Sequence, residues 1–174
     1  MSNILRINWN RSIYLGQPEN SEACGIGPEA SQRFIEKLSS FRGMSPIFVL
    51  FNNDGGEDAE ARFLIDIIRN CPQDIIGVVA GRAESAAAWV LQACDWRIMM
   101  PSSNLMLHMG SGTKDAHSEW TDRMFVDDVL RRMQEKDPSY PRNKLIRQLK
   151  QDWYLYSAQA VALGLADEVY TMSK

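Results

Sequence analysis

The sequence predicts an α/β fold with a largely parallel sheet, on three observations. Ile47–Phe51 (IFVLF) and Ile75–Ala80 (IIGVVA) are apolar at nearly every position, as expected of strands covered on both faces. Stretches with apolar residues at helical spacing lie between and after them. Strand and helix taking turns requires crossover connections, which a parallel sheet provides.

Along the chain, Leu5, Ile7 and Trp9 share one face of Ile4–Trp9 at period two, predicting a half-buried strand. Ser12–Gly16 (SIYLG) reads as a second short strand. Gln17–Gly27 carries Pro18, Gly25 and Gly27 and reads as a loop. Pro28 suits the first turn of a helix in which Phe34, Ile35, Leu38 and Phe41 recur. After Ile47–Phe51, the run Asn52-Asn53-Asp54-Gly55-Gly56 leads into a helix expected to turn Phe63, Leu64, Ile67 and Ile68 inward. Gly81 is expected to end the strand Ile75–Ala80, and Ala83–Cys94 to form a helix of small residues. Trp96–Met100 and Leu105–Met109 read as strands.

A long helix covers about Asp115 to Lys136, with Phe125, Val129, Leu130 and Met133 on one face, and Arg142–Gln151 forms another. Ser157 is placed to cap a helix Ser157–Leu163, and Asp167–Thr171 closes as a strand. No repeat, low-complexity tract or linker interrupts this order, so the expectation is a single domain over residues 1–174.

Composition narrows the function. With 45% hydrophobic and 24% charged residues the chain can bury a core, and its net charge of −3 without a basic run disfavours nucleic acid as a partner. No apolar run approaches the roughly 20 residues that span a bilayer, and the first residues lack the apolar block of a secretory signal. Cys24, Cys71 and Cys94 are far apart with no Cys-x-x-Cys pair. That pattern argues against a disulfide framework or zinc site, and for small buried hydrophobes in a reducing cytoplasm.

Ligands of open α/β sheets bind where strands end and helices begin. Asn53-Asp54-Gly55-Gly56 is one such place, where adjacent glycines can expose backbone N–H groups to an oxyanion; Asp-Gly is also ordinary turn chemistry. Gly81 to Trp89 is the other, presenting Ser85 at the start of a helix, where free amides favour negative charge on a carbonyl oxygen attacked by its hydroxyl. A serine in that place also reads as a plain N-cap. A serine nucleophile needs a base, and there are two histidines. His108 ends an apolar strand, whereas His117 begins a polar helix and reads as a surface residue, so His108 is the candidate by elimination. A carboxylate would orient the imidazole, and spacing leaves Asp115, Asp122, Asp152 and Asp167 all open.

Together these residues resemble the Clp protease proteolytic subunit, within the superfamily it shares with enoyl-CoA hydratases. Arg11 to Gly16 is similar to the family's early strand, and Asn53-Asp54-Gly55-Gly56 stands where the family has Ser-Pro-Gly-Gly. Gly81 to Ala88 resembles its nucleophile motif, and Pro101 to His108 its proline-led strand ending in the catalytic histidine. Ala160 to Asp167 resembles its Ala-Val-x-x-Gly-Leu-x-Asp signature, in which the catalytic aspartate lies twelve residues before the glycine; before Gly164 that position is Asp152.

The resemblance implies repeated ββα units, mainly parallel sheets and a helical handle over about 110–151. It implies Ser85 as nucleophile, His108 as base and then acid, and Asp152 as the group fixing the imidazole. The oxyanion would be held by the amides of Gly56 and Ala86. No metal or organic cofactor is implied. Partners would be a peptide or unfolded protein and further copies in a heptameric ring or double ring. The family's N-terminal gating segment is not matched, which sets docking to an ATP-driven unfoldase apart as an open expectation.

Asp54 in place of the family's proline and Glu84 directly before Ser85 would put negative charge beside the oxyanion site unless turned away. Two other readings compete. One is a catalytically silent subunit of the same fold. The other is an enoyl-CoA hydratase-like enzyme, suggested by Cys94-Asp95-Trp96-Arg97-Ile98.

Overall fold

In the computed structural model, residues 7–16, 25–110 and 115–171 are described. Strands β1 (Ser12–Gly16), β2 (Ile47–Asn53), β3 (Ile75–Glu84), β4 (Trp96–Met99) and β7 (Glu168–Val169) form a parallel sheet in the order β1-β2-β3-β4-β7. Helices α1 (Pro28–Ser40), α2 (Asp58–Arg69) and α3 (Ala86–Leu91) connect the first four strands. Because the strands advance in one direction, right-handed crossovers bring all three helices to the same face.

Val49, Phe51, Ile75 and Val79 point to that face and share a core with Phe34 of α1 and Leu64 of α2. Phe48, Ile76, Val78 and Ile98 point the other way into a smaller cluster covered by Ile7, with Tyr170 packed against it. The apolar runs are therefore buried on both faces, as their composition predicts, with α1, α2 and α3 on one of them.

The remaining elements flank the sheet. β5 (Asn104–Leu107) pairs parallel to the far end of β3, and β6 (Trp153–Tyr156) pairs antiparallel to β5. α4 (Ala116–Lys136), α5 (Arg142–Gln148) and α6 (Ser157–Ala162) complete the order. No helix among the described residues is long and apolar enough to cross a membrane.

Several expectations need correction. Of the strand expected over Ile4–Trp9, residues 4–6 lie outside the described residues, Ile7 is buried outside any strand, and Trp9–Arg11 form a 3-10 turn capped by Asn8. An alternation of three residues is too short to hold a strand against a local cap. Of the loop expected over Gln17–Gly27, residues 17–24 lie outside the description, as does Cys24. α2 buries Ala61, Leu64, Ile65 and Ile68 and leaves Phe63 exposed, so its inward face is rotated from the one expected.

Gly81 does not end β3. At φ 127° it carries a bulge, since Phe51 pairs with Val79 but Asn53 with Ala83. β3 thus leaves β4 and joins β5, and Ala83 and Glu84 are strand rather than helix. Ser157 is the first residue of α6 rather than its cap, and its hydroxyl donates to the Pro101 carbonyl at 3.1 Å.

Two buried arrangements hold the helices to the sheet. Arg97, with a 4% exposed side chain, makes a two-pronged contact to Asp167 (2.9 and 2.8 Å) and donates to Gln92 Oε1 at 2.9 Å. Arg132 of α4 donates to the carbonyls of Gln92 (3.0 Å) and Cys94 (2.8 Å), satisfying acceptors that the end of α3 leaves open. Asp95 accepts from the Ile75 amide at 2.7 Å. The Cys94-Asp95-Trp96-Arg97-Ile98 stretch is thereby occupied with structure.

Removing one member of the Arg97–Asp167 pair leaves a buried charge alone. Asp167→Ala is expected to cost about 3–5 kcal/mol in urea unfolding, and Arg97→Met with Asp167→Leu to recover much of that loss. Burial pushes the Cys94 thiol up to about 12. Native protein at pH 8 is then expected to leave Cys94 unalkylated by iodoacetamide while half-buried Cys71 reacts, with both modified in guanidinium; mass mapping of the peptides checks this.

Candidate active site

The site grows from the end of β3. Arg82, Ala83 and Glu84 pair with Asn104, Leu105 and Met106 of β5, and the Ser85 amide donates to the Met106 carbonyl at 2.8 Å. One residue past β5 stands His108, whose Nε2 lies 2.8 Å from Ser85 Oγ. The parallel register alone brings together two residues 23 positions apart.

β6 adds the third group. Leu107 pairs with Trp153, so the antiparallel ladder carries Asp152 opposite His108. Asp152 Oδ1 is 3.5 Å from His108 Nδ1, with side-chain exposures of 60% for the carboxylate and 23% for the imidazole. That is a long contact, of the kind that tightens when a substrate excludes water. The other aspartates are engaged elsewhere: Asp115 caps α4 through the Ser118 amide, Asp122 accepts from the Gly110 amide at 2.8 Å, and Asp167 binds Arg97. His117 is exposed and lies against Trp120, as expected of a surface residue.

Ser85 is not an ordinary cap. Its backbone sits at φ 51°, ψ −122°, a region that L-residues avoid, and its side chain makes no capping bond to α3. The hydroxyl is presented to His108 instead. Ala86, the first residue of α3, has no intrahelical acceptor for its amide.

The glycine turn after β2 comes up against this corner. Buried Asn53 accepts from the Gly55 amide at 2.8 Å, closing the turn. The Gly55 carbonyl accepts from Ile26 and the Ile26 carbonyl from Glu57, both at 2.8 Å. In a parallel bridge of that kind the N–H of the intervening Gly56 points to the opposite edge. Gly55, at φ 104°, lies so close that a Cβ there would sit 2.8 Å from Ser85 Cβ and from the Glu84 carbonyl.

The two departures from the family motif are turned to partners of their own. Asp54 forms an ion pair with Arg82, and Glu84 accepts from Asn104 Nδ2 at 3.0 Å. Tyr154, exposed on β6, feels the Glu84 charge first and Asp152 after it, and both raise its hydroxyl pKa. A small cavity beside Ser85 and His108 is lined by Ala86, Trp89, Thr121 and Phe125, with Asp58 and Asp122 also on its wall.

Of that lining, the sequence points to Ala86 through the family resemblance, to Phe125 as an inward residue of the long helix and to Asp122 as one of four candidate carboxylates. Trp89, one helical turn beyond Ser85, is within reach of a periodicity argument; Asp58 and Thr121 carry no local signal. None of the described His, Cys, Asp and Glu residues cluster as a metal site.

With a serine at a strained strand-to-helix corner, a histidine against it and two glycines alongside, the arrangement has the parts of an acyl-transfer site. A family model described as Clp protease matches residues 4–173, and the chain belongs to that family. The chain is 24% identical to the ATP-dependent Clp protease proteolytic subunit of Deinococcus radiodurans, over 97% of this chain and 84% of that one. It is 25% identical to an ATP-dependent Clp protease proteolytic subunit 2 of Prochlorococcus marinus, over 95% and 84%. A proteolytic subunit 3 from a Synechococcus strain matches at 24%, over 94% and 84%. These relatives support a peptidase of the Clp type, with a mixed α/β fold around a mostly parallel sheet.

The corner's tight packing yields a stability test. Gly55→Ala is expected to cost about 2–4 kcal/mol in urea unfolding, from backbone strain plus the clash with Ser85. Gly43→Ala, at φ 75° with nothing within 4 Å of the new methyl, should cost only the strain, about 1–2 kcal/mol.

Proposed function

We propose that this chain is a serine endopeptidase that cleaves peptides or unfolded proteins through an acyl-enzyme. The observation that carries the reading is Ser85 Oγ at 2.8 Å from His108 Nε2, with the serine held in a left-handed backbone.

In this mechanism Ser85 Oγ attacks the peptide carbonyl carbon as His108 Nε2 takes its proton. Asp152 accepts from Nδ1–H, which fixes the tautomer and steadies the imidazolium. The amides of Gly56 and Ala86 receive the oxyanion, and loss of either donor costs about 3 kcal/mol of barrier. His108 then gives its proton to the leaving amine. Water, deprotonated by the same imidazole, attacks the acyl carbonyl and restores the serine. The chemistry needs no metal or organic cofactor.

The enzyme works as one peptidase domain in a homo-oligomeric ring, a heptamer alone or stacked, with the region about 110–151 as the handle between rings. The support is family membership, together with large side chains such as Tyr14 and Tyr156 that a single copy leaves exposed. The cytoplasm is its place. The relatives' names carry ATP dependence; what is assigned to this chain is the peptide-cleaving step.

A fluorophosphonate probe with mass-spectrometric mapping tests the reading. Wild type is expected to be labelled at Ser85, and Ser85→Ala to lose both labelling and peptide hydrolysis. Asp152→Ala is expected to lower kcat by about a hundredfold or more with the fold intact. A folded wild type unlabelled from pH 6 to 9 would instead identify a silent structural subunit. Acyl-CoA binding without labelling would identify the hydratase-like alternative.

A further inference from the structure

We infer that the ion pair between Asp54 and Arg82 is a positioning device: it holds the glycine turn against the Ser85 corner, so that amides on the two sides receive one oxyanion. The inference rests on Ser85 acting as the nucleophile and on the Gly56 and Ala86 amides as donors. Those donors belong to different segments, the turn after β2 and the first residue of α3. A shared oxyanion needs both in place at once, so the relation between the segments must be fixed to a fraction of an ångström.

The backbone ties that relation loosely. Between the pairs Phe51–Val79 and Asn53–Ala83, one residue of β2 faces three of β3, namely Ala80, Gly81 and Arg82. The ladder is thus interrupted just before the site, where β3 turns to β5 and Arg82 pairs with Asn104. Arg82 sends its side chain back across the interruption, and its Nε contacts Asp54 Oδ1 in the turn itself. Both side chains are part-exposed, yet that carboxylate oxygen is shut off from water. The pair therefore differs from the loose surface contact that solvent screens.

A movement of Asp54 reaches the serine directly. Gly55 follows it, so near the corner that a Cβ there would meet Ser85 Cβ and the Glu84 carbonyl at 2.8 Å. Asp54 also stands where the family motif has proline, whose ring would restrict φ at that place. An aspartate has no such restriction of its own, and the contact to Arg82 supplies one from outside.

Hydrolysis of a peptidyl coumarin amide by wild type, Asp54→Asn, Arg82→Gln and the double variant tests the inference. Each single variant is expected to lower kcat by about tenfold with KM within about twofold, because the oxyanion forms only after the substrate is bound. The double variant is expected to lose no more than either single one, since the two side chains act as a unit. Arg82→Lys, which keeps the charge, is expected to recover part of the kcat lost in Arg82→Gln. Circular dichroism and the urea midpoint should stay near wild type, so that a fall in kcat is not a loss of fold. Wild-type kcat in both single variants overturns the inference. So do losses carried by KM, losses that multiply in the double variant, or losses that follow a fallen urea midpoint.

Should Asp54→Asn fail to fold, Arg82→Gln against Arg82→Lys decides by the same split of kcat and KM. A small fluorophosphonate distinguishes failure of the positioning pair from failure of the nucleophile. Labelling of wild type at Ser85, with the variants hydrolysing as fast as wild type, removes the positioning role alone. Absence of labelling removes the nucleophile and the inference with it.

Discussion

The pairing of β3 with β5 is the constraint on which the site depends. Glu84 sits opposite Met106, and the Ser85 amide is bonded to the Met106 carbonyl. From that ladder the distance between hydroxyl and imidazole follows, because each lies just past the end of its strand. A one-residue slip would turn His108 to the opposite side of the sheet from Ser85. The bulge at Gly81 makes the pairing possible, since without it β3 would continue beside β4 and the serine would emerge away from β5. One glycine with a positive φ thus matters as much to the geometry as the side chains that meet at the corner do.

Polar groups around the corner are matched by short-range partners. Arg82 takes up Asp54, Asn104 takes up Glu84, and Asn53 closes the turn through the Gly55 amide. Carboxylates next to a place where an oxygen gains negative charge would oppose the reaction if they faced it. Both are instead engaged by side chains of β3 and β5. Farther out, the buried Arg97–Asp167 pair and the Arg132 contacts to the end of α3 hold the helix behind the serine from two directions.

Much of this was legible in the residues. The unbroken apolar runs of β2 and β3 located the buried centre of the sheet, and the order of strand and helix gave its parallel character. Ser85 and His108 stood out because each follows a strand. Asp152 did not: four aspartates fitted the spacing, and family resemblance alone chose among them. β6 went unrecognised because no turn residue separates Trp153–Tyr156 from α6, although its aromatic content suits a strand. The face of α2 was misjudged because Phe63, Leu64, Ile65, Ile67 and Ile68 cover a wide arc. Periodicity cannot choose between the edges of such an arc, whereas packing against α3 does.

The Arg132 contacts also bear on how the molecule comes into being. The carbonyls at the end of α3 find their partner some forty residues later, on a helix that itself needs the sheet to rest against. A nascent chain that has emerged only as far as Gln92 therefore holds the Ser85 hydroxyl on an unsupported six-residue helix. The corner that carries Ser85 is thus finished only once α4 has folded back against it.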